Sequence, residues 1–378
     1  MANPMVTEPV AEVDLDAIAA NIRVLTELAP TAELMAVVKA DGYGHGAIEV
    51  GRAALAAGAT SLGVATIPEA LALRAAGITA PVLSWLSTSG YAEAISANVR
   101  LGVNSPRQLA AVAAAAREVG RPVEIDVKVD TGLSRNGVTD AELPELLRDL
   151  GALVAEGAVR VHGLFSHLSH ADVPDHPLNS LQLERLLDAR AQFTQHGIAV
   201  QQMHLGNSGT ALARPDLHLD VLRPGLAMYG YSPFDEPSER LTPAMTLKAP
   251  LTLMKRVQSG DGVSYGHTWT APHDTTLGLV PLGYADGVPR IMSGKFDVVI
   301  GDSRYPSVGR VCMDQFVIDL GDHPRDVAEG DEVLLFGPSL GWRPNAREWA
   351  DAAGTISWEV LTSIGSRVPR GYVRSGAY

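Results

Sequence analysis

SPRQLAAVAAAAREVGRPVEIDVKVD, residues 105–130, changes rhythm halfway along. Ser105 is placed to cap a helix and Gly120 to end one, and the alanine-rich run between them reads as helical. Directly afterwards VEIDVKV is short, apolar and β-branched, which reads as a buried strand. Helix, stop, strand is therefore the local unit, and working outward from it the unit repeats.

The strand candidates are LMAVV, SLGVA, PVLSWL, VRLGV, VEIDVKV, VHGLFSHL, QQMHL and LDVLRPG, with helical stretches such as DAELPELLRDLGALV between them. Such alternation points to a parallel sheet, and eight units over roughly 210 residues is the size of a (β/α)8 barrel of the TIM type. A doubly wound open sheet is the alternative. After about residue 245 the pattern turns to short runs broken by Gly, Asp and Pro, such as FDVVIGDSRYPSVGRVCMDQFVIDL, the mark of an all-β domain. The expected organisation is thus a barrel over 1–244 and a mainly β domain over 245–378. The run PVAEVDLD precedes the first barrel unit and has no obvious partner there, so a strand at about 8–14 is a candidate to join the β domain.

Of 378 residues 46 % are apolar, enough for an ordinary core, and the formal charge is −13 from 43 acidic and 30 basic residues. With no basic cluster, nucleic acid and anionic membranes are poor partners. A single cysteine, Cys312, rules out an internal disulfide and a Cys-rich zinc site. The N-terminus lacks the charge and apolar pattern of a signal peptide, and no run approaches the ~18 to 20 apolar residues of a membrane span. A soluble, cytoplasmic protein with no metal is expected.

In a barrel the chemistry sits at the C-terminal ends of the strands. There the sequence puts Lys39 at the end of the first strand, Lys128 and Asp130 at the end of the fifth with Arg135 in the following TGLSRNG, His167 at the end of the sixth, Asn207 and Ser208 after the seventh, and Arg223 at the end of the eighth. In LRPGLAMYG, Pro224 and Gly225 before a short helix offer backbone N–H groups to an anion, and Ser208 offers a hydroxyl. A lysine with a lowered pKa facing a phosphate pocket suits a phosphorylated aldehyde, for which pyridoxal 5'-phosphate is the natural candidate. Aldolases also pair a lysine with a phosphate, so spacing alone leaves both open.

AVVKADGYGHG, residues 36–46, resembles the cofactor-lysine signature of the alanine racemases. VDTGLSRNG, GLFSHL, GNSGTAL, LRPGLAMYG, VSYGHTW, LGYADGVPR, GRVCMDQ and RVPRGY resemble further blocks of that family in the same order. The resemblance implies a pyridoxal 5'-phosphate enzyme that interconverts L- and D-alanine as a homodimer with shared active sites. By it, Lys39 would hold the cofactor and serve as one base, and Tyr265, from the partner subunit, as the other. Tyr43, Ser208, Gly225 and Leu226 would hold the phosphate, His167 would lie against the pyridine ring, and Arg223 would face its nitrogen. Arg135 and the Met313 backbone N–H would take the substrate carboxylate, and Lys128 would be carbamylated to position Arg135. An arginine at the ring nitrogen disfavours its protonation and limits side reactions. The chain departs from the family in GTISWEV, where Trp358 replaces a tyrosine that contacts the phosphate.

Plainer readings stand beside these. Lys128 could form an ordinary ion pair with Asp126 or Asp130, and the carbamate stays open against it. His167 and His170, on opposite faces of a strand, would not share a metal. Asp172, Tyr284, Arg290, Arg310 and Asp314 either line the way in or are ordinary loop groups. The rival functions are racemisation of serine or lysine, decarboxylation, and a non-catalytic cofactor carrier. The β domain and Arg223 speak against the last two.

Overall fold

The computed structural model describes residues 6–374 except 237, 323, 325, 339 and 340. The ends of the two expected domains, 1–5 and 375–378, lie outside the described residues. Strand β1 (Val10–Asp14) comes first. Then β2 (Glu33–Val37), β3 (Ser61–Val64), β4 (Val82–Ser84), β5 (Arg100–Val103), β6 (Val123–Lys128), β7 (Val159–Phe165), β8 (Gln202–His204) and β9 (Val221–Leu222) alternate with helices.

Strands β2 to β9 pair in parallel, each with the next in sequence from β2 to β8, and β9 returns to pair with β2. The ring closes between β8 and β9, where Asp220 N–H donates to Met203 O at 3.1 Å and Arg223 N–H to Gly206 O at 3.0 Å. Strands with helices outside and side chains inside must be apolar on both faces, and β3, β4 and most of β2 and β5 are buried at every residue. The opening stretch behaves as its chemistry demands. Helix Pro106–Val119 is capped by Ser105, whose hydroxyl accepts Gln108 N–H, and stops at Gly120 with φ 70°. Its Leu109, Val112, Ala113, Ala115 and Ala116 are buried, and the alanines among them are small enough for close packing.

The second unit comprises Met1–Ala17, Tyr43–Gly46 and Thr242–Tyr378. Its strands are β1, β10 (Met245–Pro250), β11 (Leu253–Val257), β12 (Gly262–Val263), β13 (Trp269–Thr270), β14 (Thr275–Val280), β15 (Asp297–Ile300), β16 (Ser303–Val308), β17 (Phe316–Gly321), β18 (Glu332–Phe336) and β19 (Arg370–Val373). Nine of them form one sheet in the order β11-β14-β17-β16-β15-β18-β10-β1-β19. β1 lies antiparallel to β10 and parallel to β19. Burial alternates residue by residue along β1 and β17, as expected of a sheet with one face on the core and one toward water. That core is aromatic: Phe296 meets Phe316 and Trp349, and Trp349 meets Phe336, each pair with ring centres 5.1 Å apart. Among the described residues no helix is long and apolar enough to cross a membrane.

Candidate active site

Lys39 lies two residues beyond β2, at the start of a turn rather than on the strand itself. The three residues after it are left-handed: Ala40 (φ 52°, ψ 49°), Asp41 (φ 51°, ψ 49°) and Gly42 (φ 62°, ψ 44°), and Tyr43 follows at φ 52°. Left-handed backbone costs about 1–2 kcal/mol per non-glycine residue, so it persists only where surroundings impose it. Here Gly42 N–H donates to Val38 O at 2.9 Å, Ala47 N–H to Asp41 Oδ1 at 2.9 Å, and Ala40 N–H to Glu69 Oε1 at 2.7 Å. Glu69 is also the return half of the capping box that starts helix Ile67–Ala75. One carboxylate thus anchors a helix and the turn that aims Lys39. The Lys39 amine is held below its usual pKa, chiefly by burial and then by Arg135, with Glu69 opposing.

Strand register lines up the rest of the floor. Lys128 on β6 stands opposite Phe165 on β7, which stands opposite His204 on β8. The Lys128 ammonium lies 5.8 Å from the Phe165 ring centre, and His204 stacks on the same ring at 4.8 Å. Buried Arg223 follows β9 and spends its guanidinium on His204 Nδ1 (2.8 Å), Ser166 O (2.7 Å), Leu205 O (3.2 Å) and His167 Nδ1 (3.4 Å). Burial, Arg135 and Arg223 push the Lys128 amine down to about 7. Burial and then the same cations hold His167 well below its usual value, so its ring is neutral.

The ion pair considered for Lys128 does not form. Its ammonium bonds Asn136 Oδ1, Asp126 bonds His204, and Asp130 is occupied within its own loop. Asp130 Oδ1 takes Gly132 N–H at 2.9 Å and Ser134 N–H at 3.0 Å, which shapes the turn presenting exposed Arg135. His167 and His170 are not on a strand either, because β7 ends at Phe165 where its partner β8 ends at His204. His170 instead stacks on His176, with ring centres 3.8 Å apart.

Beside β9, the Gly225 and Ala227 N–H groups both donate to Ser208 Oγ at 3.1 Å. With both lone pairs engaged, the Ser208 hydroxyl hydrogen is left to donate. Leu226 lies between the two N–H groups. Lys39, Lys128, Arg135, His167, Ser208, Arg223, Gly225 and Leu226 all belong to the barrel unit.

Tyr43, Tyr265 and Met313 belong to the β unit. Tyr43 is buried, which raises its phenol to about 12. Its loop is fastened where Arg370 Nε donates to Gly44 O at 2.8 Å. Tyr265 is 70 % exposed and Met313 52 %. The two are carried on neighbouring loops: Ser264 Oγ donates to Arg310 O at 2.7 Å and meets Cys312 Sγ at 3.4 Å. Asp314 pairs with Arg367 at 2.7 Å. Trp358 is half-buried near the start of helix Ser357–Ser363.

The sequence profile described as "Alanine racemase, N-terminal domain" matches residues 13–233, and "Alanine racemase, C-terminal domain" matches 244–372. The chain belongs to the alanine racemase family. It is 56 % identical over 367 residues to the alanine racemase of Mycolicibacterium smegmatis, covering 96 % of this chain and 94 % of that one. Among solved structures, the alanine racemase from D-cycloserine producing Streptomyces lavendulae matches with TM-score 0.94 at 46 % identity, over 99 % of both chains. That of Streptomyces coelicolor A3(2) matches with TM-score 0.93 at 47 % identity, over 97 % of this chain and 98 % of the other. Members of this family are isomerases.

Sequence reading of this racemase-family chain overlooked Glu69, Asn136 and His204. His204 had a usable signal, a histidine inside the otherwise apolar strand run QQMHL. Glu69 had none beyond its place in a capping box, since its bond to Ala40 joins residues 29 apart.

Proposed function

We propose that the chain interconverts L- and D-alanine with pyridoxal 5'-phosphate held at Lys39, and that it works as a homodimer. Lys39 acts on one face of the alanine Cα and Tyr265 of the partner subunit on the other. The observation that carries this reading is the placement of Lys39, on a turn just past β2 fastened to Glu69, among further cations at the C-terminal ends of the barrel strands; burial and Arg135 lower its pKa.

The residues present fit the cofactor. An aldehyde needs an amine that gives up its proton, and burial beside Arg135 favours the neutral amine. A phosphate needs donors: the Ser208 hydroxyl and the Leu226 N–H can supply them, while the Gly225 N–H, expected from the family resemblance to join them, is spent on Ser208 Oγ and aims that hydroxyl. Tyr43 joins them on the strength of the family resemblance. The ring nitrogen would face Arg223, which has donors only, and His167 would lie on the ring as a neutral imidazole.

When bound, pyridoxal phosphate supplies the electron sink that makes the alanine Cα–H acidic. Arg135 and the Met313 N–H hold the substrate carboxylate. Lys39 removes the proton from one face while the partner subunit's Tyr265 delivers one to the other, and the roles reverse in the opposite direction. Arg223 disfavours a proton on the ring nitrogen, which keeps the sink shallow and limits side reactions. Lys128, at about 7, offers a substantially neutral amine to carbon dioxide. Adding carbon dioxide to that neutral amine releases one proton and leaves an anion, which gives Arg135 a partner. A cytoplasmic location agrees with the absence, among the described residues, of a membrane-crossing helix.

Borohydride reduction in the presence of pyridoxal phosphate, followed by peptide mapping, tests the first element. A pyridoxyl group on the Lys39 peptide is expected, and labelling elsewhere or nowhere removes the reading. Racemisation rates on L-serine and L-lysine well below that on L-alanine are expected if alanine is the substrate.

A further inference from the structure

The interior of the barrel holds a carboxylate that the mechanism above does not use. Asp126, on β6 two residues before Lys128, is 0 % exposed. Its register partner on β7 is Gly163, where a Cβ would fall 2.7 Å from Asp126 Cγ. The carboxylate therefore occupies space that a glycine leaves open. Asp126 Oδ2 lies 3.1 Å from His204 Nε2 and 3.6 Å from Arg100 Nη1. Burial alone raises a carboxyl, but the His204 bond and then Arg100 and His162 outweigh it, so Asp126 stays below its usual range.

The proton on the neutral His204 ring can be assigned from its neighbours. Arg223 carries donors only, so its 2.8 Å contact makes His204 Nδ1 an acceptor. The ring proton is then on Nε2, directed at Asp126. Arg223 at the mouth, the neutral His204 ring, Asp126 and Arg100 thus form one line of alternating donors and acceptors through the barrel. At its far end Arg100 borders a cavity of about 220 Å³ lined also by Arg121, Glu124 and Arg160.

A plain stabilising ion pair is a poor account of Asp126. The contact with Arg100 is 3.6 Å with no hydrogen bond, and Asp126 Oδ1 and Arg100 Nε are buried without hydrogen-bond partners among the described residues. Buried pairs of that quality contribute little to stability beyond what apolar side chains would. The well-formed bond is the one aimed toward the mouth.

We propose that Asp126 and His204 are positioning residues for Arg223. The carboxylate orients the His204 ring so that Nδ1 accepts from Arg223, and it supplies the buried negative charge that the guanidinium stands against. Arg100 balances that charge from the other end. The expected effect on turnover rests on the proposed function, in which Arg223 faces the cofactor; the line of bonds itself belongs to the cofactor-free protein.

The test uses the full chain, labelled with 15N-histidine, first without cofactor and then reconstituted with pyridoxal phosphate. In cofactor-free wild type a far-downfield, exchange-protected ring N–H resonance is expected, assigned by its absence in His204→Asn. It should move in Asp126→Asn, and also in Arg223→Met, which leaves Asp126 in place and removes the donor at the opposite ring nitrogen. On reconstitution Asp126→Asn should lower kcat by about tenfold or more with KM for alanine within about twofold, the size typical of a residue acting through a site group. A resonance unmoved by Arg223→Met, or wild-type kcat in Asp126→Asn, overturns the proposal. Should Asp126→Asn fail to fold, the Arg223→Met shift decides alone. A protein that takes up no cofactor yet shows the coupled shifts upholds the positioning role and contradicts the proposed function instead.

Discussion

Lys39 and Tyr265, the two proposed bases, stand in opposite surroundings within their own units. Lys39 follows a buried strand, sits on a left-handed turn tied to Glu69, and has its amine lowered by burial and by Arg135. Tyr265 stands on a loop of the β unit with 70 % of its surface exposed. The barrel provides its lysine with a tuned environment from its own residues. The β unit provides Tyr265 with a loop tied by the Ser264 bond to Arg310, and little cover. A base needs its pKa set by neighbours, so an exposed tyrosine is what one subunit would offer if the neighbours come from another.

The largest expected effect comes from the barrel side. Lys39→Ala should abolish racemisation, a loss of about three orders of magnitude or more, because both covalent attachment and one base are removed. Tyr265→Phe should cost about 10²- to 10⁴-fold, the range for one general acid–base group. Mixing these two inactive variants and allowing subunits to exchange sharpens the contrast. Hybrid dimers would carry one site with both Lys39 and Tyr265 intact, so activity should return; no recovery would place both bases in the same subunit.

Smaller effects probe the tuning. Lys128 at about 7 binds its proton more weakly when folded than when unfolded, where lysine sits near 10.5. Between those values the unfolded chain holds more protons, so stability from this group rises as pH rises from 7 toward 10. His204, held at about 4 by burial, acts in the same sense lower down: its contribution is present above about 6.5 and is lost as pH falls toward 4. Thermal midpoints of the cofactor-free protein should follow these slopes, with the upper one flattened in Lys128→Met and the lower one in His204→Asn. Last, Glu69→Gln removes the charge that raises the Lys39 amine, so reaction of Lys39 with an amine reagent in the cofactor-free protein should shift to lower pH. An unchanged profile would leave Glu69 as a helix cap alone.

The barrel was legible because its signals are local. Ser105 and Gly120 bracket a helix by backbone chemistry, and fully apolar runs announce strands buried on both faces. Polar residues at the ends of those runs single out Lys39, Lys128, Arg135, His167, Ser208 and Arg223 from the sequence alone. What escaped depends on contacts between distant residues. Asp126 reads as one polar position in VEIDVKV until β7 and β8 bring Gly163 and His204 beside it, 78 residues separating Asp126 from His204. The left-handed run at 40–42 is equally hidden, since Ala and Asp announce nothing of the kind and only the bonds from Glu69, Val38 and Ala47 impose it. Tyr265 carried no local signal at all and was singled out by family resemblance.

The most direct measurement incubates the reconstituted protein with L-alanine in D2O while optical rotation and deuterium at Cα are followed together. Action on both faces predicts rotation falling to zero as deuterium enters, with both changes lost in Lys39→Ala. Deuterium entering while rotation is retained would mean that one face alone is served, and would contradict Tyr265 as the second base.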